Sequence, residues 1–267
     1  MQIENEYGVY EQDSTYLPTL RQTLVEAGVT ELMFTCDDQN GLQAGIPLDG
    51  TLRAINLQED PQGHVSALRI HQPNRPVFVA EYWTGWFDWW GDKHHDMGFP
   101  WKNRFSLDRF VGTTKELIEL GANFNLFMFH GGTNFGFWNG GIIQGNQGKF
   151  IPDTTNYDYD ALVSEAGDLR PKFFRFQQIM KGQNVKVLTP PKTPERKGYG
   201  ELKITGCINL GQLMAAAGKP VENDKPLNME KFGGYYGLGS FKLRFCLQFQ
   251  VNSILKRPNF DWMIVNH

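Results

Sequence analysis

Nothing in this sequence suggests a charged polymer or a membrane as partner. Its 267 residues carry 26 Lys plus Arg against 29 Asp plus Glu, for a net charge of −3, with no basic run or stripe. Without that positive footprint, nucleic acid and anionic membrane surfaces are not expected partners. No apolar stretch approaches the roughly 20 residues that a spanning helix needs. Residues 1–15 have neither the basic start nor the apolar centre of a secretory signal peptide. Cysteine is scarce. Cys36, Cys207 and Cys246 are too few and too scattered for a disulfide framework or a zinc site. Cys36 closes an apolar run at 32–36 and reads as a small buried residue. No Asn-x-Ser/Thr acceptor occurs, and composition leaves the compartment open.

What the chain has in quantity is aromatic rings, 13% of its residues. Six of the seven tryptophans lie between Trp83 and Trp138. Rings gathered in one part of a chain line a binding surface at low entropic cost, although some of them serve the core.

Apolar β-rich runs alternate with amphipathic ones. Strands are expected at 1–6, 30–36, 51–57, 76–81 and 123–129, and helices at 14–27, 62–72, from Ser106 to about Leu120, and at 161–181. Residues 37–41, Asp-Asp-Gln-Asn-Gly, read as a loop by composition. The run at 76–81 is almost continuously apolar and is expected to be buried on both faces. This order argues for an α/β fold with a parallel sheet and outer helices. A doubly wound sheet is the rival, but no Gly-rich phosphate loop follows any strand, and "GGTNFG" at 131–136 has neither fingerprint. A barrel is favoured, with polar residues Glu6, Asp37, Glu81 and His130 at the strand ends where barrel active sites are built. Only five of the eight strands of a closed barrel are present. Residues 1–184 are assigned to part of a barrel domain, 185–197 to a linker, and 198–267 to an incomplete, β-leaning appendage.

Glu6 and Glu81 each end a strand, and 75 residues separate them. At about 25–30 residues per βα unit that is three units, which places the two carboxylates opposite each other across a barrel mouth. Paired carboxylates beside aromatic platforms are the equipment of glycoside hydrolysis, with one kept protonated and the other ionised. Asn5 can donate a hydrogen bond to a sugar hydroxyl. On a regular strand Glu4 shares a face with Glu6 and would support it.

Four blocks carry a family resemblance: "IENEYGVY" at 3–10, "AEYWTGWFDWWG" at 80–91, "NFNLFMFHGGTNFGFWNG" at 123–140 and "NYDYDALVSEAGDLRPKFF" at 156–174. In order and spacing the chain resembles glycoside hydrolase family 35, the acid-type β-galactosidases, over about 1–235. The resemblance implies a retaining (β/α)8 enzyme that removes terminal β-galactose from glycans in lysosomes or outside the cell. It implies Glu6 as general acid/base with Asn5 as its companion, Glu81 as nucleophile, Trp86 as a wall of the sugar site and Tyr159 as a galactose contact. Phe127 departs from the pattern, since several relatives have Tyr there. No cofactor or metal is implied. The resemblance also places three barrel strands ahead of "NEYG", so the chain is expected to be a fragment with compromised activity, and residues 239–267 depart from the family. A non-catalytic galactoside-binding relative and a barrel β-glucanase with a similar Asn-Glu…Glu pair remain the alternatives.

The remaining features have plainer readings. His94-His95 is expected to be a solvated loop pair and Trp89-Trp90 loop packing. Asp37-Asp38 lacks calcium-loop spacing. Asp158 and Asp160 are expected to brace their loop through backbone hydrogen bonds.

Overall fold

The computed structural model describes residues 1–10, 13–45, 47–91, 105–144, 149–193, 195–217, 220–225, 227, 228, 231, 233, 238, 239, 265 and 266. His94-His95 and nearly all of 239–267 lie outside these residues.

The described chain divides into two units, the first being Met1–Thr133 with Asn156–Pro194. It holds one sheet of five parallel strands, in chain order: β1 (Gln2–Asn5), β2 (Phe34–Asp37), β3 (Leu52–Leu57), β4 (Phe78–Trp83) and β5 (Asn123–Phe127). Each parallel pairing requires a crossover. Helices α1 (Tyr16–Glu26), α2 (Gln39–Ala44), α3 (Pro61–His71) and α4 (Leu107–Glu119) lie in these crossovers, and α5 (Pro171–Gly182) follows β5.

Within this unit, sequence and structure differ at three elements. The polar run at 37–41 starts a helix, because the Asp38 carboxylate accepts from Gly41 N at 2.7 Å and caps α2. The last helix begins at Pro171 rather than 161, with proline where its missing N–H costs nothing. The strand buried along its whole length is β3, not β4, which is only half-buried at Phe78, Glu81 and Trp83.

The sheet has two different faces. Ile55, Leu57, Val79 and Tyr82 join Val65, Leu68, Phe110 and Leu117 in the main core beneath the helices. The opposite face carries Cys36, Ala54 and Ala80, with Phe34 and Phe78 against them. On β4 the strict alternation of faces breaks. Ile55 pairs with Val79 but Asn56 pairs with Glu81, and on the other side Val79 pairs with Phe124 while Tyr82 pairs with Leu126. One extra residue therefore sits in β4 between Val79 and Tyr82, a β-bulge. It lets Val79 and Tyr82 both face the helices, three positions apart, and turns Glu81 to the Ala80 side, level with Asn56. β1 has the same irregularity, Gln2 pairing with Phe34 and Asn5 with Cys36.

The second unit is Asn134–Thr155 with Glu195–His267. It contains an antiparallel hairpin, β6 (Gly141–Gln144) and β7 (Lys149–Pro152), and a short helix, α6 (Leu210–Ala216), whose N-terminus is held by a capping box between Asn209 and Gln212. The helix was not expected in a β-leaning appendage, and its capping box is the local signal for it.

Candidate active site

β1 ends in a strained residue. Glu6 takes φ 51°, ψ 31°, the left-handed region that a non-glycine residue occupies at some cost. Its N–H still bonds to Cys36 O at 2.8 Å, and the chain then turns through Tyr7–Val9. That turn ends the alternation that would have kept Glu4 beside Glu6. The Glu4 carboxylate instead accepts from Tyr16 OH on α1 at 2.6 Å and from Asn5 N at 2.8 Å. Glu4 therefore anchors α1, and the support expected of it for Glu6 comes from Asn56.

Asn56 is 1% exposed on β3, and its Nδ2 donates to Glu6 Oε1 at 2.8 Å. Its Oδ1 accepts from Cys36 Sγ at 2.7 Å, and Glu81 is its register partner on β4. Two residues beyond Glu81, Trp83 Nε1 donates to Glu81 Oε2 at 2.8 Å. The two half-buried carboxylates thus share one face of the sheet, on strands three apart.

Burial is the main cause that pushes the Glu6 carboxyl above the ordinary carboxylate range. The Asn56 hydrogen bond opposes it, and the charges of Glu81, Asp38 and Asp37 add to it. Glu81 is raised by burial as well, against the Trp83 hydrogen bond. Asp37 is raised by burial despite the N–H of Gly8 and nearby Arg53. The interaction between Glu6 and Glu81 belongs to the pair.

These directions fix a stability prediction. A carboxyl whose folded pKa exceeds its unfolded one stabilises the fold fully below the unfolded pKa, and that contribution is lost as pH rises through the folded pKa. Near neutrality both ionised groups work against folding. The double variant Glu6→Gln/Glu81→Gln is therefore expected to melt higher than the parent at neutral pH, with the gap closing on acidification. Calorimetry across that range checks it, and a gap independent of pH contradicts it.

The aromatic wall is continuous with Glu81. Trp83 meets Trp86 edge-on at 5.4 Å, Trp86 lies 6.1 Å from Tyr159, and Phe127 meets Tyr159 edge-on at 5.5 Å. Phe127 is also the β5 register partner of Trp83. Trp86, Phe127 and Tyr159, picked from sequence, therefore stand together. Asn5 sits opposite Cys36 but is exposed, with its Oδ1 accepting from Gln2 Nε2 at 3.0 Å. Trp89 touches this cluster through Phe87, at 6.2 Å, while Trp90 is exposed.

The loop carrying Tyr159 is clamped from beneath. Tyr159 and Asp160 both take positive φ, 63° and 49°. Buried Lys172 donates to Thr84 O at 2.8 Å, Asp160 O at 2.9 Å and Asp160 Oδ2 at 2.8 Å, while Arg170 pairs with Asp158 at 2.5 Å. Asp158 does take a backbone donor, Glu165 N at 2.7 Å, whereas Asp160 braces the loop through a lysine.

Among the described residues no three His, Cys, Asp or Glu side chains are placed to hold a metal ion, and no helix is long and apolar enough to cross a membrane. Asn56 and Trp83 were missed in the sequence. An amide within the apolar run at 51–57, and an indole two residues after a candidate carboxylate, are the signals that could have found them.

The sequence also matches known proteins. The model of a family described as "Glycosyl hydrolases family 35" matches residues 1–183. The human protein named beta-galactosidase-1-like protein 3 is 36% identical over 253 residues, which is 92% of this chain and 37% of the relative. A mouse beta-galactosidase-1-like protein is 38% identical over 218 residues, 79% of this chain and 31% of the relative. A beta-galactosidase of Xanthomonas manihotis is 35% identical over 240 residues, 89% of this chain and 38% of the relative. The chain thus spans about a third of the length of the relatives it matches.

Proposed function

The chain belongs to glycosyl hydrolase family 35, and from that premise we propose that it carries the two catalytic carboxylates of a retaining β-galactosidase. β1–β5 then correspond to about the fourth to eighth strands of a (β/α)8 barrel, with residues 1–184 in that domain, 185–197 a linker and 198–267 part of a following domain. The substrate is a glycan ending in β-linked galactose, met in a lysosome or outside the cell.

One observation carries the reading. Glu6 and Glu81 sit on the same face of one sheet, each half-buried with a raised pKa, and each has one oxygen held by a neutral donor, Asn56 or Trp83. Glu81 attacks the anomeric carbon while protonated Glu6 gives its proton to the departing glycosidic oxygen. Glu6, now ionised, takes a proton from the water that opens the galactosyl–Glu81 ester, so configuration is retained. A carboxyl separation of about 5–5.5 Å goes with that outcome. Asn5 would hydrogen-bond a sugar hydroxyl. Trp86, Phe127 and Tyr159 would wall the ring, Phe127 through its face alone.

β1 and β5 are the edges of the five-stranded sheet, so the sugar site is walled on part of its circumference and turnover by the 267-residue chain is expected to be slow. The test uses aryl β-galactoside and aryl β-glucoside, with NMR of the first anomer released and a 2-fluorogalactosyl fluoride label mapped by mass spectrometry. Preference for the galactoside, β-galactose as first product and label on Glu81 support the reading. A glucoside preference points to a β-glucanase. An α-anomer overturns retention, and galactose binding with no label on Glu81 leaves a binding protein.

A further inference from the structure

We propose that Cys36 and Asn56 are positioning residues for Glu6, the Cys36 thiol fixing which end of the Asn56 amide faces the carboxyl, so that Glu6 Oε1 stays an acceptor and the proton is exchanged at Oε2. The proposal rests on the reading of Glu6 as acid/base. Cys36 and Asn56 are each 1% exposed, so no solvent decides how the amide is turned. An amide has a donor end and an acceptor end, and its neighbours choose between them. Cys36 Sγ donates to Asn56 Oδ1 at 2.7 Å, which leaves Nδ2 for Glu6 Oε1 at 2.8 Å. Burial, with the charges of Glu81, Glu6 and Asp37, holds the thiol well above its ordinary pKa, so it remains a donor.

The consequence falls on the proton of Glu6. An N–H aimed at Oε1 favours the carboxylate. Burial favours the acid, as do Glu81 from β4, Asp38 from the cap of α2 and Asp37 from β2. The reaction needs Glu6 in both forms in turn, protonated to release the aglycone and ionised to accept a proton from water. Asn56 supplies the opposing influence that keeps the ionised form accessible. Turned over, its carbonyl oxygen would meet Oε1 and stabilise only the acid. The thiol prevents that, which gives a buried cysteine a role that its size alone does not.

The experiment is a carbon-13 carboxyl titration of the whole chain with labelled glutamate, the Glu6 signal being the one lost in Glu6→Gln. Asn56→Ala is expected to move its midpoint up by about one pH unit and Cys36→Ala by about half of that, while Cys36→Ser, which keeps a donor, stays at the parent value. The alkaline limb of the galactoside pH–rate profile should move by the same amounts. A parental midpoint in folded Asn56→Ala or Cys36→Ala overturns the proposal, as does a Cys36→Ser midpoint equal to that of Cys36→Ala. If Asn56→Ala fails to fold, the two Cys36 variants decide alone. The titration needs no substrate, so it fails or succeeds independently of galactoside hydrolysis.

Discussion

Glu81→Ala is expected to lose about four orders of magnitude in aryl β-galactoside turnover, and to recover part of it when azide is added, giving α-galactosyl azide. Small anions enter the space left by the carboxylate and attack the face that Glu81 would have attacked, so configuration inverts. Glu6→Ala should behave differently. With a leaving group that needs no proton the galactosyl–Glu81 ester still forms, and azide then opens it from the other face as β-galactosyl azide. Product stereochemistry, read by proton NMR, assigns nucleophile and acid/base separately. The structure supports this order of roles: Glu81 Oε2 is held by the Trp83 indole N–H, while Glu6 faces the charges of Glu81, Asp37 and Asp38 as well as burial. The β-azide from Glu81→Ala, or unchanged turnover, would remove Glu81 from the nucleophile position.

Gly85→Ala is expected to lower the melting temperature by about 10 °C, corresponding to roughly 3 kcal/mol. A Cβ at Gly85 would stand 1.7 Å from the carbonyl oxygen of Tyr159, and one at Gly131 would stand 1.7 Å from that of Tyr157. The obstacle in both cases is backbone, which cannot rotate aside as a side-chain end can. The loop must lift, and with it the positive-φ pair Tyr159–Asp160 and the Lys172 bonds to Thr84 O and Asp160 O. Left-handed non-glycine residues persist only while their surroundings hold them. Gly131→Ala should therefore match Gly85→Ala. Gly112→Ala is the control: Gly112 lies exposed on α4 with nothing within 4 Å of the added carbon, and alanine there gains about 1 kcal/mol of helix propensity. Thermal melts of the three variants check the set. A Gly85→Ala melt equal to that of Gly112→Ala would show that the clamp does not hold the loop.

The strands were legible because each is a short apolar run between polar ones, and Ser106 announced α4 through its cap. The carboxylate pair was legible because Glu6 and Glu81 each end an expected strand, at a separation that fits whole βα units. Other features had no such signal. The residues 37–41 look like a loop because helix-capping and turn residues are the same ones, Asp and Asn above all. The clamp on the 157–160 loop depends on glycines and a lysine far away in sequence, and on contacts rather than pattern. Asn56 was passed over because a lone amide in an apolar strand is as easily a tolerated substitution as a partner. Only its place between Cys36, Glu6 and Glu81 singles it out.

The extra residue in β4 acts on that strand as a reading frame does on a message. Side chains fall alternately inward and outward, and the inserted position resets the phase for every residue after it. Were the same four residues Val79 to Tyr82 laid out as a regular strand, without the bulge, the carboxylate would fall among the helix side chains and the Tyr82 phenol, now bonded to Phe110 O at 2.9 Å, would point to the opposite side. The sequence of the strand would be unchanged, yet the carboxylate and the phenol would exchange sides. The bulge is therefore as much a specification of where Glu81 stands as the identity of the residue itself.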